Sequence, residues 1–345
     1  NEVGIQVIVT DHHLAGEVLP EAAAIVNPNQ PGDPFPSKHL AGVGVVFYLL
    51  AALRARLRDL GWFGPNRAAP KLADLLDLVA LGTVADVVTL DQNNRIRVER
   101  GLRRIRAGNG NPGVRALLAV AGCDPNRAVA RDLGFLAAPR LNAAGRLEDM
   151  ALGVECLLTD DPVQAAAMAR ELDDLNKRRR EIENGMKAEA EAALAALNLE
   201  SGGLPPALCL FDPGWHQGVV GILASRIRER WHRPAIAFAP GEDGLLRGSA
   251  RSIEGLHMRD LIDAVDKRHP GLIRRFGGHA MAAGLTLGDA AFAPFREAFC
   301  QAVRGEIGDT PPVRELLSDG ELPPQALDLK TAQSLRHAGP WGKGF

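Results

Sequence analysis

Residues 7–14 read VIVTDHHL, an apolar run that stops abruptly at Asp11, His12 and His13. Extended back to Ile5, the segment IQVIV is rich in β-branched residues and has the composition of a fully buried strand. Helical spacing follows across Ala41–Leu60, and again across Pro70–Leu81 with a stop at Gly82. A buried strand followed by helices predicts an α/β domain on a parallel sheet, where ligands gather beyond the carboxyl ends of the strands. Asp11, His12 and His13 fall at such an end. Imidazole and carboxylate together form a ligand set for Mn²⁺, Zn²⁺ or iron, although three such residues also suit the capping of a strand end or a helix start.

Working outward, further helices are predicted over Asp91–Arg106, Pro112–Gly122 and Arg127–Leu136. The first carries Arg95, Arg97, Arg100, Arg103, Arg104 and Arg106 against Glu99 and reads as a solvated face. Asp161-Pro162 begins another helix, with Asp as N-cap and Pro in the first turn, and no proline interrupts the chain until Pro205. A helix from Pro162 to about Leu197 would be about 50 Å long at 1.5 Å per residue, which suggests a strut between two domains. Lys177–Arg180 (KRRR) lies at its middle, where a groove between the domains would run, and reads as a solvated strut face. Beyond SGGLPP (201–206) the pattern is strand 207–211, helix 218–231, strands 235–239 and 245–250, and helices 258–268 and 292–307: a second α/β domain. From Thr310 the proline-rich, short-period sequence predicts a linker into a small β module.

Composition narrows the classes. The chain has 345 residues, 46% of them hydrophobic, enough for more than one core. Its net charge of −2 excludes a polycation that grips nucleic acid indiscriminately, so any phosphate site is local. Four widely spaced cysteines without a CxxC pair argue against a zinc knuckle or a disulfide framework and suit a reducing compartment. No apolar stretch has the length of a membrane span and no leader precedes the first strand, so a soluble cytoplasmic protein is expected. Asn1 and the closing WGKGF (341–345) read as cut ends.

Three more stretches carry chemistry. In LGTVADVVTLDQNNR (81–95), Asp86 stands among apolar residues and needs a cation or backbone donors as partner. In FLAAPRLNAAGRL (135–147), small residues separating Arg140, Asn142 and Arg146 would let another chain approach. GSARSIEG (248–255) and GGHAMAAG (277–284) place Ser249, Arg251, Ser252, Gly277, Gly278 and His279 in glycine-rich surroundings that resemble an anion nest. Each stretch by itself has an ordinary structural explanation.

Taken in order, TDHH (10–13), GTVADVV (82–88), PRLNAAGR (139–146), SARS (249–252) and GGHAMAAG (277–284) resemble the DHH/DHHA1 phosphoesterases across nearly the whole chain. VNPNQPGDPFPSKHLAGVGV (26–45) has the same character. PRLNAAGR and the closing GPWGKGF point to the single-strand-specific DNA exonucleases among them. The resemblance implies a DHH domain (1–160), a connecting helix (161–200), a DHHA1 domain (201–308) and the start of an OB-like module (309–345). It implies two divalent ions, Mn²⁺ or Mg²⁺, activating a hydroxide for in-line attack on phosphorus. His12 and Asp86 would be ligands of one ion, His13 would stand beside the scissile phosphate, and Asp11 would orient the histidines. Ser249, Arg251 and His279, with Ser252, Gly277 and Gly278, would hold the DNA backbone or its terminal phosphate, while Arg140, Asn142 and Arg146 would line the entrance.

The same resemblance implies 5′ to 3′ polarity and a role in DNA repair and recombination, with single-stranded DNA as substrate and a single-strand-binding protein and a helicase as candidate partners. A narrow passage between the domains would exclude duplexes. Aromatics are only 5% of the chain, so arginine contacts should carry affinity and make it salt-dependent. The family's first two motifs, aspartate-rich turns that supply the other ion's ligands, are absent, so this stretch alone is expected to be inactive. Two rival readings remain: a small-substrate phosphodiesterase acting on dinucleotides or short RNA, and a non-catalytic scaffold.

Overall fold

The computed structural model describes residues 4–16, 18–196, 204–242, 244–308, 314 and 318–344. They form two compact units, one of residues up to Asn176 together with Glu321 onward, the other of Lys177–Gly320. The first unit therefore runs beyond the expected boundary at 160 and takes in the closing segment. Among the described residues no helix is long and apolar enough to cross a membrane.

In the first unit, β1 (Ile8–Thr10) pairs in parallel with β2 (Ala24–Val26). The expected burial of residues 5–9 does not hold: Ile5 is 63% and Ile8 64% exposed. Among the described residues this sheet has two strands, so its apolar side chains lack the flanking strands that such a composition anticipates. The unit further contains α1 (Gly42–Asp59), α2 (Leu76–Ala85), α3 (Gln92–Arg106), α4 (Pro112–Val120), α5 (Ala130–Asp132), α6 (Ala138–Leu147), α7 (Ala151–Leu158) and the first half of α8 (Pro162–Ala196).

Helix α2 does not stop at Gly82 but continues through it. The missing side chain makes room for α1, since a Cβ there would lie 2.7 Å from Val43 Cγ1. Gly101 of α3 likewise sits against the Leu76 carbonyl. Around these close crossings Ala80, Val98, Ile105, Leu117, Leu133 and Leu172 form a buried core. The region expected as one helix over 127–136 is α5 followed by a π-helical turn, Leu133–Ala137, that leads into α6 just before Pro139.

The arginine-rich face of α3 is only partly a solvated one. Arg97 is buried, with its guanidinium 4.3 Å from the Tyr48 ring centre, and Arg104 pairs with Asp74 at 2.9 Å. Arg106 donates to the Ala128 carbonyl at 2.8 Å. The arginines' long stems and forked heads let them span helices from within.

Helix α8 starts as expected, with the Asp161 carboxylate accepting from Val163 N at 2.8 Å. Its second half belongs to the other unit, where Arg179 of KRRR is buried and paired with Glu183 at 2.7 Å rather than solvated.

The second unit is built on a five-stranded mixed sheet of order β3-β4-β5-β7-β6, formed by β3 (Leu208–Phe211), β4 (Ala235–Pro240), β5 (Leu245–Arg251), β6 (Ile273–Gly278) and β7 (Ala282–Gly288). Only β3 and β4 run parallel. Helix α9 (Val220–Trp231) packs its Leu223 and Ile227 on one face, with Ala235, Ala237 and Ala239 of β4. On the other face α10 (Met258–Arg268) and α11 (Phe292–Ile307) bury Ile262, Phe295 and Phe299 against Phe238 and Leu285.

The glycine-rich stretches 248–255 and 277–284 are not loop nests. Ser249–Arg251 of SARS end β5 and Ser252 opens the turn after it, while GGHAMAAG is the end of β6, a turn and the start of β7. Their backbone groups are engaged in strand pairing, with Gly277 opposite Gly284 and Ser249 opposite the same Gly284.

The closing segment also departs from expectation. Residues 318–344 contain a short 3₁₀ turn, Pro324–Ala326, and α12 (Leu329–Ala338), but no strand. Asp328 caps α12 by accepting from Thr331 N at 2.6 Å, and Gly339-Pro340 ends it. Pro323, Pro324 and Pro340 lie outside the helix, while Pro311 and Pro312, which also suggested a linker, fall outside the described residues.

Candidate active site

The end of β1 and the end of α2 meet in the first unit. His12 Nε2 lies 3.3 Å from Asp86 Oδ2, with side-chain exposures of 17% and 44%. Asp86 is the residue that ends α2, its N–H donating to the Gly82 carbonyl at 3.0 Å. The next residue, Val87, has φ +55°, a left-handed conformation that a β-branched side chain rarely adopts.

Asp11 has a different task. Its Oδ1 accepts from the backbone N–H of His12 at 2.7 Å and of His13 at 3.2 Å, and lies 2.7 Å from His13 Nδ1. Burial acts to raise the Asp11 pKa, but the His13 ring and the two backbone N–H groups outweigh it and hold the carboxyl below its ordinary value. Asp11 is thus an ionised clamp on the His13 ring, whose centre is 4.2 Å from that of His12. The ligand-type atoms of Asp11, His12 and His13 lie within 4.8 Å of one another. With the clamp occupied, His12 Nε2 and Asp86 Oδ2 are the pair that stand 3.3 Å from each other. Two ligands on one octahedral ion with bonds of about 2.1 Å stand about 3 Å apart, so this donor pair fits a divalent cation.

Two residues not anticipated from sequence fix the backbone of the turn. Asn27 Nδ2 donates to the His13 carbonyl at 2.9 Å, and Asn29 Nδ2 to the His12 carbonyl at 2.6 Å. Both follow β2, the strand paired with β1, so polar side chains just past a neighbouring strand were the available signal.

The second unit holds its own candidate surface. A groove of about 520 Å³ is floored by Gly248, Gly277 and Gly284 and bordered by Arg247, Arg275 and Ser249. Arg251 donates to Ser249 Oγ at 3.1 Å and to Ser225 Oγ at 3.2 Å. Gly221, in the first turn of α9, admits this pair, because a Cβ there would be 3.0 Å from the Arg251 guanidinium and 3.1 Å from Ser249 Oγ. A bare backbone floor, oriented guanidinium groups and a helix N-terminus suit an extended anion. His279 is exposed on the hairpin turn beyond Gly278, and its N–H donates to the Ala282 carbonyl at 2.8 Å. Arg275 and Thr286, which also line the groove, escaped the sequence reading because the β6–β7 hairpin did, whereas Arg247 lies on the expected strand just before the stretch singled out.

Other expected contacts are placed elsewhere. Arg140 is 7% exposed, with its guanidinium 2.7 Å from Asp173 and donating to the Leu136 carbonyl at 2.6 Å. It is an internal brace of the first unit rather than a residue at an entrance. Asn142 and Arg146, on the same helix, are exposed. Ser252 is fully buried and donates to the Leu256 carbonyl at 2.8 Å, closing the turn after β5 and leaving nothing for a phosphate.

Known proteins resemble this chain. Residues 1–83 match the DHH family N-terminal domain and residues 204–307 the DHHA1 domain. The chain is 58% identical to the single-stranded-DNA-specific exonuclease RecJ of Dickeya dadantii and 56% to that of Escherichia coli, in each case over 99% of this chain and 60% of the relative. It therefore spans about 60% of the length of these curated relatives. A crystal structure of RecJ from Thermus thermophilus in complex with Mn²⁺ superposes with TM-score 0.80 at 34% identity, covering 99% of this chain and 47% of that one. A crystal structure of exonuclease RecJ bound to manganese matches with TM-score 0.68 at 36% identity, covering 88% of this chain and 70% of that one. Carrying the two matched domains in this order and related at this level along nearly its whole length, the chain belongs to the RecJ family.

Proposed function

We propose that this chain is the part of a single-strand-specific DNA exonuclease that supplies one half of a divalent-metal site and a binding surface for the DNA backbone. The observation that carries the reading is the approach of His12 Nε2 to Asp86 Oδ2, from a strand end and a helix end far apart in sequence. These two side chains would hold one ion, Mn²⁺ or Mg²⁺ by analogy with the metals in the related crystal structures. When bound, a divalent ion supplies Lewis acidity, lowering the pKa of a water and offsetting charge on the phosphoryl oxygens.

The protein's own groups do the rest. Asp11, held ionised, fixes the orientation of the His13 ring, whose other nitrogen would stand beside the scissile phosphate. In the second unit Arg247, Arg251, Arg275 and Ser249 would hold the phosphodiester backbone over the glycine floor, with His279 at the rim. Asn142 and Arg146 would contact the strand from α6, and Gly277 and Gly278 would let it approach the sheet.

Polarity of 5′ to 3′, a place in DNA repair and recombination, a cytoplasmic location, and partnership with a single-strand-binding protein and a helicase belong to the same reading. So does inactivity of this chain alone, because His12 and Asp86 are too few to hold two ions at a separation of about 3.5–4 Å.

The test uses the intact protein with Mn²⁺ on a 5′-phosphorylated single strand. His12→Ala and Asp86→Asn should each lower turnover by more than about 100-fold, the upper end for residues that only support ligands. Arg251→Ala should weaken binding of a long single strand and reduce the slope of log affinity against log salt by about 1. Full turnover by both ligand variants would favour a scaffold, and faster cleavage of a dinucleotide than of the long strand a small-substrate phosphodiesterase.

A further inference from the structure

We propose that the glycine-rich segment Gly339–Gly344 is a positioning element for the loop that carries Asp86. The inference rests on the reading of Asp86 as a metal ligand, and the observations behind it are all internal to the first unit. Leu90 N, in the loop that follows Asp86, donates to the Lys343 carbonyl at 2.9 Å. The flanking glycines lie flat on the same loop. A Cβ on Gly342 would stand 2.5 Å from Leu90 Cδ1, and one on Gly344, which has φ +75°, 2.6 Å from Thr89 Cγ2. A side chain at either position would have to displace the Leu90 or Thr89 side chain from its place on the loop.

The strap is itself anchored. Pro340 is buried, and Trp341 Nε1 donates to the Leu335 carbonyl of α12 at 2.6 Å. Trp341, Arg336 and His337 line a small cavity of about 280 Å³ together with Glu99 and Arg106 of α3.

The loop needs such a hold. It leaves α2 at Asp86, passes through the left-handed Val87 and arrives at Asp91, whose carboxylate caps α3 by accepting from Asn94 N at 2.8 Å and also accepts from Ser37 Oγ at 2.7 Å. A β-branched residue in that conformation persists only where its surroundings over-determine it. Its own short-range bond, Val87 N to the Val84 carbonyl at 3.2 Å, holds the α2 side alone. The other side is held at Thr89, whose carbonyl accepts from Asn94 Nδ2 at 2.9 Å and from Asp91 N at 3.0 Å, and at Leu90 by the Lys343 bond and the glycine contacts, so the strap adds a second clamp to the path by which Asp86 leaves α2 toward His12.

The experiment measures Mn²⁺ binding to the intact protein directly, from the electron paramagnetic resonance signal of free Mn²⁺, alongside exonuclease turnover. Gly342→Ala should weaken Mn²⁺ affinity about 10-fold, as loss of a ligand's outer support does. Adding Leu90→Ala removes the atom that the new Cβ strikes and should bring affinity back to within about 3-fold of the parent, a coupling that a double-mutant cycle isolates. Leu90→Ala opens a cavity in the core, so if affinity merely tracked fold stability the double variant would bind worst, and that result overturns the proposal. Unchanged affinity in Gly342→Ala, with affinity lost in Asp86→Asn, overturns the strap while leaving Asp86 a ligand. Unchanged affinity in Asp86→Asn overturns the ligand assignment and the strap together.

Discussion

Replacing Arg140 by alanine separates an internal brace from a contact with DNA. The guanidinium is 7% exposed, and its partner Asp173, 2.7 Å away, is equally buried. Removing one member of a buried pair costs about 3–5 kcal/mol, because the charge left behind is neither solvated nor compensated. Asp173 has further interactions, so the lower figure applies, about 3 kcal/mol or roughly a 100-fold change in the folded-to-unfolded ratio. Followed by far-ultraviolet circular dichroism, the urea midpoint of the first unit should fall by about 1–3 M at slopes of about 1–3 kcal/mol/M.

The double variant Arg140→Met, Asp173→Leu removes both charges at similar volume and should recover most of the loss. The salt dependence of single-strand binding should be the same in all variants. An unchanged midpoint in Arg140→Ala, with a salt slope reduced by about 1, would refute the internal role and make Arg140 a phosphate contact.

Ser252→Ala should lower stability by about 1 kcal/mol, since it leaves the Leu256 carbonyl without its donor, while single-strand affinity in a filter-binding assay stays at the parent value. The Cys156 thiol, pushed from 9.0 to about 11 by burial, stays protonated in the folded chain at pH values where the unfolded chain ionises. Its contribution to stability is therefore complete below about pH 9 and lost as pH rises toward about 11, so a urea midpoint that does not fall over that window would contradict its burial.

Much of the site was legible because its chemistry depends on position along an element. Asp11, His12 and His13 could be placed at the end of a strand from the point where the apolar run stops, and Asp86 from an isolated carboxylate among valines. Their convergence depends on α1 and α2 packing through Gly82, a contact that appears in the sequence only as a helix breaker. Helices with a clear cap and stripe, such as α8 and α10, were legible for the same local reason.

The failures share a cause as well. The β6–β7 hairpin was hidden because glycine lowers strand propensity, yet Gly278 is there for the absence of a side chain, crossing closely over Ala283, as Gly248 of the neighbouring β5 makes room for the Phe238 ring. Arg97, Arg140 and Arg179 were read as surface residues because charge normally means water, whereas a buried partner, invisible in one dimension, decides otherwise. Ser252 resembled a ligand residue for the same reason.

The bond between Leu90 and Lys343 joins positions far apart in the sequence, with the whole of the second unit inserted between them. A ribosome adding about 5–20 residues per second delivers the donor on the order of ten to fifty seconds before its acceptor. During translation the first unit therefore waits, incomplete, while its neighbour emerges and folds. The loop bearing Asp86 acquires its last tether only when residue 343 has left the exit tunnel, so a prematurely terminated product carries the same side chains without that restraint.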